Sequence, residues 1–282
     1  MTYTIEGIQS GIDWLSNTAP LGEPNGTQWK HNSIRALEQI AKGGNVVQWR
    51  KLQGYEGVSA GNCFFGERDD GALLQLTGEY ANAHFSACFN RNGRVPRIDL
   101  QFTAKFATMP ASIAKKGYSD AKRSNDDLPD GRKRKLYIIV GSDGGDTLYI
   151  GAPSSDQRGR LYNKAVQSEL PTYTRSWRYE VVFRNELAYN IAARLPSDGN
   201  ERAEYVLAVV CAWYEARGVD CGIYYTGTRP PLPLQRALPT DVERKLRWIK
   251  EQVAPTVRYL NELGFRDTLL AELFPQPEPD SV

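Results

Sequence analysis

Charge falls in a fixed phase within several strand-like segments, and that phase limits the chain to a sheet with two unlike faces. In RIDLQFTAKF (97–106), Ile98, Leu100, Phe102 and Ala104 share one side, while Asp99, Gln101 and Thr103 share the other. WRYEVVFR (177–184) alternates Glu180 with cations and apolar residues, and GRLYNK (159–164) sets Tyr162 between Arg160 and Lys164. TLYIGAP (147–153) adds Tyr149. These short β segments are expected to bring Tyr149, Tyr162 and Glu180 into one region, with Arg158, Arg160, Lys164 and Arg178 nearby. That set suits a phosphodiester: a phenol to attack, carboxylates for a metal, cations for phosphates.

The rest of the chain reads as α+β. GIDWLSNTA (11–19), VVQWRKL (46–52), NCFFGE (62–67) and ALLQLTGE (72–79) are strand-like, separated by turn residues that include 54–61. LYIIVGS (136–142) and TLYIGAP form a predicted hairpin around 143–145. Residues 20–30 read as a loop and 107–135 as a polar section whose cations lie on a solvated face or a phosphate-contacting arm. Helical spacing covers 32–41, 79–89, 186–195 and 204–218. Arg229–Pro233 is the expected linker. A basic amphipathic helix follows over 241–264, which Pro255 should kink or split, and 275–282 reads as a disordered tail. The expected division is 1–228 for a catalytic domain, 229–274 for a basic helical segment, then the tail.

Composition removes several function classes. Net charge is only +2, from 35 cations and 33 anions, so any nucleic-acid surface must be local. Four scattered cysteines without CxxC spacing read as buried thiols in a reducing compartment. Neither a membrane span nor a signal peptide is visible, which points to the cytoplasm. With two histidines, and without HExxH, GxSxG, Walker or Rossmann patterns, the usual zinc, serine-hydrolase and nucleotide sites are not expected.

Asp99 and Glu180 need partners, because a carboxylate in a central strand costs desolvation energy. They either ligate Mg²⁺ or Mn²⁺ as oxygen donors or form salt bridges with Arg97, Arg178 or Arg184. Glu79 is a third candidate ligand or a helix cap. Tyr162 has cations on both sides that favour its anion; Tyr149 is the rival nucleophile. The loop GAPSSDQRGR (151–160) offers Ser154, Ser155 and Arg158 to phosphates.

Seven blocks occur in order: GIDWLS, GYEG, LLQLTGE, RIDLQFT, TLYIGAPSSDQRGRLYNK, WRYEVVFR and LRWIKEQVAPTVRYL. Together, over 11–260, they resemble the Rep_trans family of rolling-circle replication initiators and related conjugative relaxases. The resemblance implies an antiparallel, HUH-like or RRM-like nickase core with helices on one face and a helical C-terminal segment. It implies metal-dependent nicking and rejoining of origin DNA through a 5′-phosphotyrosine. By position, Tyr162 is the nucleophile, assisted by Arg160 and Lys164, and Asp99 and Glu180 are the metal carboxylates. DNA contacts would come from Arg97, Arg158, Arg178 and the basic helix with Arg244, Arg247 and Lys250. A host helicase and a second copy are the further expected partners. The rival class is a non-catalytic protein that uses the same cationic face only to bind single-stranded or origin DNA.

Overall fold

The computed structural model describes residues 5–20, 24–107, 112–129, 133–141, 145–168, 176–222, 249, 253–265 and 268. The chain divides into two compact units, Met1–Pro233 and Leu234–Val282. The first is built on an antiparallel sheet. In chain order its strands are β1 (Ile5–Ala19), β2 (Val47–Leu52), β3 (Tyr55–Ala60), β4 (Cys63–Arg68) and β5 (Gly71–Thr77), then β6 (Arg94–Phe106), β7 (Leu136–Ile139), β8 (Thr147–Ile150), β9 (Gln157–Asn163) and β10 (Ser176–Arg184). They lie side by side as β2-β3-β4-β5-β1-β6-β10-β9-β8-β7. Long β1 is central, bonded to β5 on one edge and β6 on the other.

One face of this sheet is covered by helices α1 (Pro24–Lys42), α2 (Glu79–Cys88), α3 (Ile113–Asp126), α5 (Asn185–Ala192) and α6 (Gly199–Glu215). Short α4 (Lys164–Ser168) follows β9 directly. Trp29, Phe85, Ile113, Ile191 and Trp213 from the covering helices join Leu15, Leu100, Leu161 and Val181 from the strands in a single core. Alternation then sends Asp99, Glu180 and Tyr162 to the opposite face. The fold is α+β with helices layered on one side, as the charge phase predicts.

Two segments depart from the sequence reading, and a third takes the helical form that it left open. The expected loop at 20–30 is largely helix: α1 begins at Pro24, whose missing N–H costs nothing in a first turn. Trp29 anchors that turn, buried and donating its indole N–H to the Cys88 carbonyl at 2.6 Å. The expected turn at 54–61 contains β3. Gly57 hid it, because a strand glycine reads as a breaker; here a Cβ would collide with the Phe65 carbonyl, so glycine permits the β3–β4 approach. Within the polar section, α3 buries a stripe of Ile113, Ala114, Gly117 and Ala121. Its residues are too small to register as an apolar face.

In the second unit, α7 (Ala254–Glu262) carries proline in its first turn, where its missing N–H costs nothing, and residues 249 and 253 before it are also helical. The linker Arg229–Pro233, most of 241–253 and the tail lie outside the described residues. Among the described residues, no helix is long and apolar enough to cross a membrane.

Candidate active site

The strand ladder fixes the site. On β10, Glu180 stands opposite Arg160 of β9 and Gln101 of β6; Arg178 stands opposite Tyr162 and Thr103; Val182 stands opposite Arg158 and Asp99. Asp99, Glu180 and Tyr162 therefore form a diagonal across β6, β10 and β9. Each step moves one strand over and two residues along, about 7–8 Å between backbone positions. All three are largely withdrawn from water, at 2%, 3% and 5% exposure.

Arginines lace the diagonal together. Arg97 grips Asp99 with two bonds, Nε to Oδ1 at 2.8 Å and Nη2 to Oδ2 at 2.5 Å. Arg160 Nη2 donates to Glu180 Oε2 at 2.7 Å. Arg178 donates to Thr103 Oγ1 at 3.1 Å and, at 3.4 Å, to Asp13 Oδ1. A register irregularity in β1 between Ile12 and Trp14 admits Asp13 to this face. Three guanidiniums also lie over rings: Arg97 on Trp14 at 4.5 Å, Arg158 on Tyr149 at 4.4 Å and Arg160 on Tyr162 at 4.7 Å.

From beneath, α6 supports the same strands. Tyr214 donates its hydroxyl to the Glu180 carbonyl at 3.1 Å, and Trp213 Nε1 and Arg217 Nη2 both donate to Gln157 Oε1. A Cβ on Gly159 would strike the Trp213 ring, so glycine lets that indole pack under β9.

The electrostatics follow from burial. Desolvation pushes the Asp99 carboxyl up to about 6 against the pull of Arg97. It also pushes the Tyr162 phenol up to about 12, with Glu180 adding to the rise and Arg178 and Arg160 opposing it. Burial opposes the Arg160 charge, yet Glu180 holds that guanidinium more firmly protonated than usual. The Lys164 ammonium is lowered by burial and then by Arg178.

The remaining predicted residues are placed as follows. Lys164 opens α4 and donates to Gln167 Oε1 at 3.0 Å. Glu79 is exposed in the first turn of α2, just after Gly78, whose N–H donates to the Asp13 carbonyl at 2.7 Å. Ser154 is exposed; the Ser155 hydroxyl bonds to the Ala152 and Gln157 carbonyls of its own loop. Arg184 Nη1 pins that loop through the Pro153 and Ser155 carbonyls. Arg244, Arg247 and Lys250 lie outside the described residues. Asp13 is the site residue that sequence reasoning passed over. Its signal was a carboxylate flanked by apolar residues in GIDWLS, obscured by the irregular strand.

Asp13, Asp99 and Glu180 present hard oxygen donors on one face, the chemistry that suits Mg²⁺ or Mn²⁺. Among the described residues, no three acidic, His or Cys groups converge to metal-binding distance. Each carboxylate is held by an arginine instead.

A family model described as replication initiation factor, Rep_trans, matches residues 111–273. The chain belongs to the Rep_trans family. The match takes in the strands that carry Tyr149, Tyr162 and Glu180. Among solved structures, this Rep_trans chain is similar to a rolling circle replication initiator protein from Geobacillus stearothermophilus, with a TM-score of 0.51 and 21% identity over 72% of this chain and 83% of that one. At that identity the likeness speaks for the shared fold. Comparison with curated proteins gave no match.

Proposed function

We propose that this Rep_trans protein initiates rolling-circle replication by nicking one strand of an origin and later rejoining it, with Tyr162 as the nucleophile. The observation that carries the reading is the diagonal of Asp99, Glu180 and Tyr162 on the face opposite the covering helices, with an arginine beside each.

In the first step the Tyr162 Oη forms a bond to phosphorus while the bond from phosphorus to the 3′ oxygen breaks. The phenol gives up its proton and the departing 3′ oxygen takes one, so the balance is level. The new phosphotyrosine keeps the bond energy, and the 3′ hydroxyl primes synthesis or returns to reseal the strand. Arg160 and Arg178 flank the ring and favour negative charge on the phenol and on the phosphoryl oxygens. A divalent ion, which would supply further charge stabilisation when bound, would take Asp99, Glu180 and Asp13 as ligands only if they left the arginines that hold them here. Arg97 and Arg160 pair with those buried carboxylates and aim them.

A second reading, origin binding without cleavage, is favoured by one observation: Asp13, Asp99 and Glu180 are all already ion-paired. Tyr162→Phe decides between them, assayed with Mn²⁺ on supercoiled DNA that carries the element's own origin. The nicking reading requires the parent to relax the plasmid and form a covalent adduct, and the variant to do neither. A variant that nicks at the parent's rate removes Tyr162 from the role and promotes Tyr149. A parent that binds the plasmid but leaves it intact establishes the binder.

A further inference from the structure

The face opposite the covering helices continues beyond Tyr162 to the edge of the sheet, and its chemistry changes on the way. Tyr149 of β8 lies opposite Arg160 on one side and Tyr137 of β7 on the other. Leu136 packs against the core, so Tyr137 and Ile139 project to the open side, where both are exposed. Tyr137 keeps 45% of its surface in water, although it sits within a ladder. Arg158 covers the Tyr149 ring; it makes no ion pair among the described residues, and its Nε is buried without a partner. Carboxylates line the Tyr162 end of the face, whereas this end offers aromatic rings, an uncompensated guanidinium and the exposed Lys135.

We propose that Tyr137 and the Arg158–Tyr149 stack form a base-stacking track for single-stranded DNA, which carries one flank of the nick from Tyr162 across β8 to the β7 edge. Rings and guanidinium planes accept bases of any sequence, and a cation without a carboxylate partner among the described residues suits the phosphates between them. Continuity with the Tyr162 face and the unpaired positive charge favour a nucleic-acid strand over an apolar protein segment. The inference rests on reading this face as the DNA surface, but it requires no cleavage.

The test is binding of a fluorescein-labelled oligothymidylate of about 16 nucleotides, measured by anisotropy without Mn²⁺. Tyr137→Ala should weaken binding by about tenfold, in line with the loss of one stacked base. Tyr137→Phe should restore it. Trp49→Ala, at a still more exposed aromatic on the opposite edge strand, should leave it unchanged. Should Tyr137→Ala bind like the parent, the track is overturned. The same holds if Tyr137→Ala only splits a dimer in sedimentation, because the edge then pairs copies of the chain. A parent that binds the oligomer through Tyr137 yet never nicks origin DNA keeps the track and loses the nickase reading. A parent that nicks but does not hold the oligomer does the reverse.

Discussion

Arg160 stands directly across the ladder from Glu180 and also lies over the ring of Tyr162, two residues along its own strand. One guanidinium therefore touches both the carboxylate expected to bind a cation and the phenol expected to attack. Its removal would strand Glu180, buried with no counter-charge. Arg160→Ala should cost about 2–4 kcal/mol in urea unfolding, somewhat below a fully buried pair because the arginine is partly exposed. Adding Glu180→Gln should recover much of that loss; equal losses in the single and double variants would mean that the pair is not coupled.

The elevated phenol sets a pH dependence for nicking. Below about 12 the Tyr162 anion is a minority species that grows about tenfold per pH unit. With Mn²⁺ fixed, the initial nicking rate should climb between about pH 7 and pH 9 with a log–log slope near one. A flat profile over that range would show that the proton is lost before DNA is engaged.

Asp99 gives a stability signature of opposite character to a surface acid. Its carboxyl is raised to about 6 from an ordinary 3.8, so the folded state binds the proton more tightly than the unfolded chain does. The resulting stabilisation is complete below the unfolded value and is lost as pH rises through the folded one. Relative to Asp99→Asn, the parent should lose up to about 3 kcal/mol between pH 4 and pH 7.5. The measurement is the parent-minus-variant difference in urea midpoints at the two pH values; a difference that does not change with pH would contradict the raised carboxyl.

Gly159 tests the support beneath the site. An alanine there would drive its methyl into the Trp213 ring, a form of overpacking that costs about 1–3 kcal/mol. Gly159→Ala should lower the melting temperature and also reduce nicking, because Arg158 and Arg160 flank the position. Pairing it with Trp213→Leu, which makes room, should return part of both.

The parts legible in the sequence were those written in strict alternation. RIDLQFTAKF and WRYEVVFR announced their strands, their buried phase and the carboxylates on the other phase, and all of that holds in the fold. The β7–β8 hairpin and helices α2, α5 and α6 were legible through periodicity as well. Segments whose logic is close approach were not. Gly57 and the Ala/Gly stripe of α3 matter for the bulk they lack, and a hydropathy pattern does not record missing bulk. Within the site, the residue types could be read but their pairings could not. Register decides that Glu180 meets Arg160 and Arg178 meets Asp13, and the irregularity that brings Asp13 over has no signature in composition.

Because β6, β9 and β10 give one set of alternate residues to the core and the other to the charged face, neither set can change phase alone. A single-residue insertion early in β9 would point Leu161 at solvent and bury the Tyr162 phenol among α3 and α6. A two-residue insertion would leave the parity intact and merely slide the chemistry along the ladder. Drift within this lineage should therefore tolerate length changes in these strands only in even steps, and otherwise confine them to the loops.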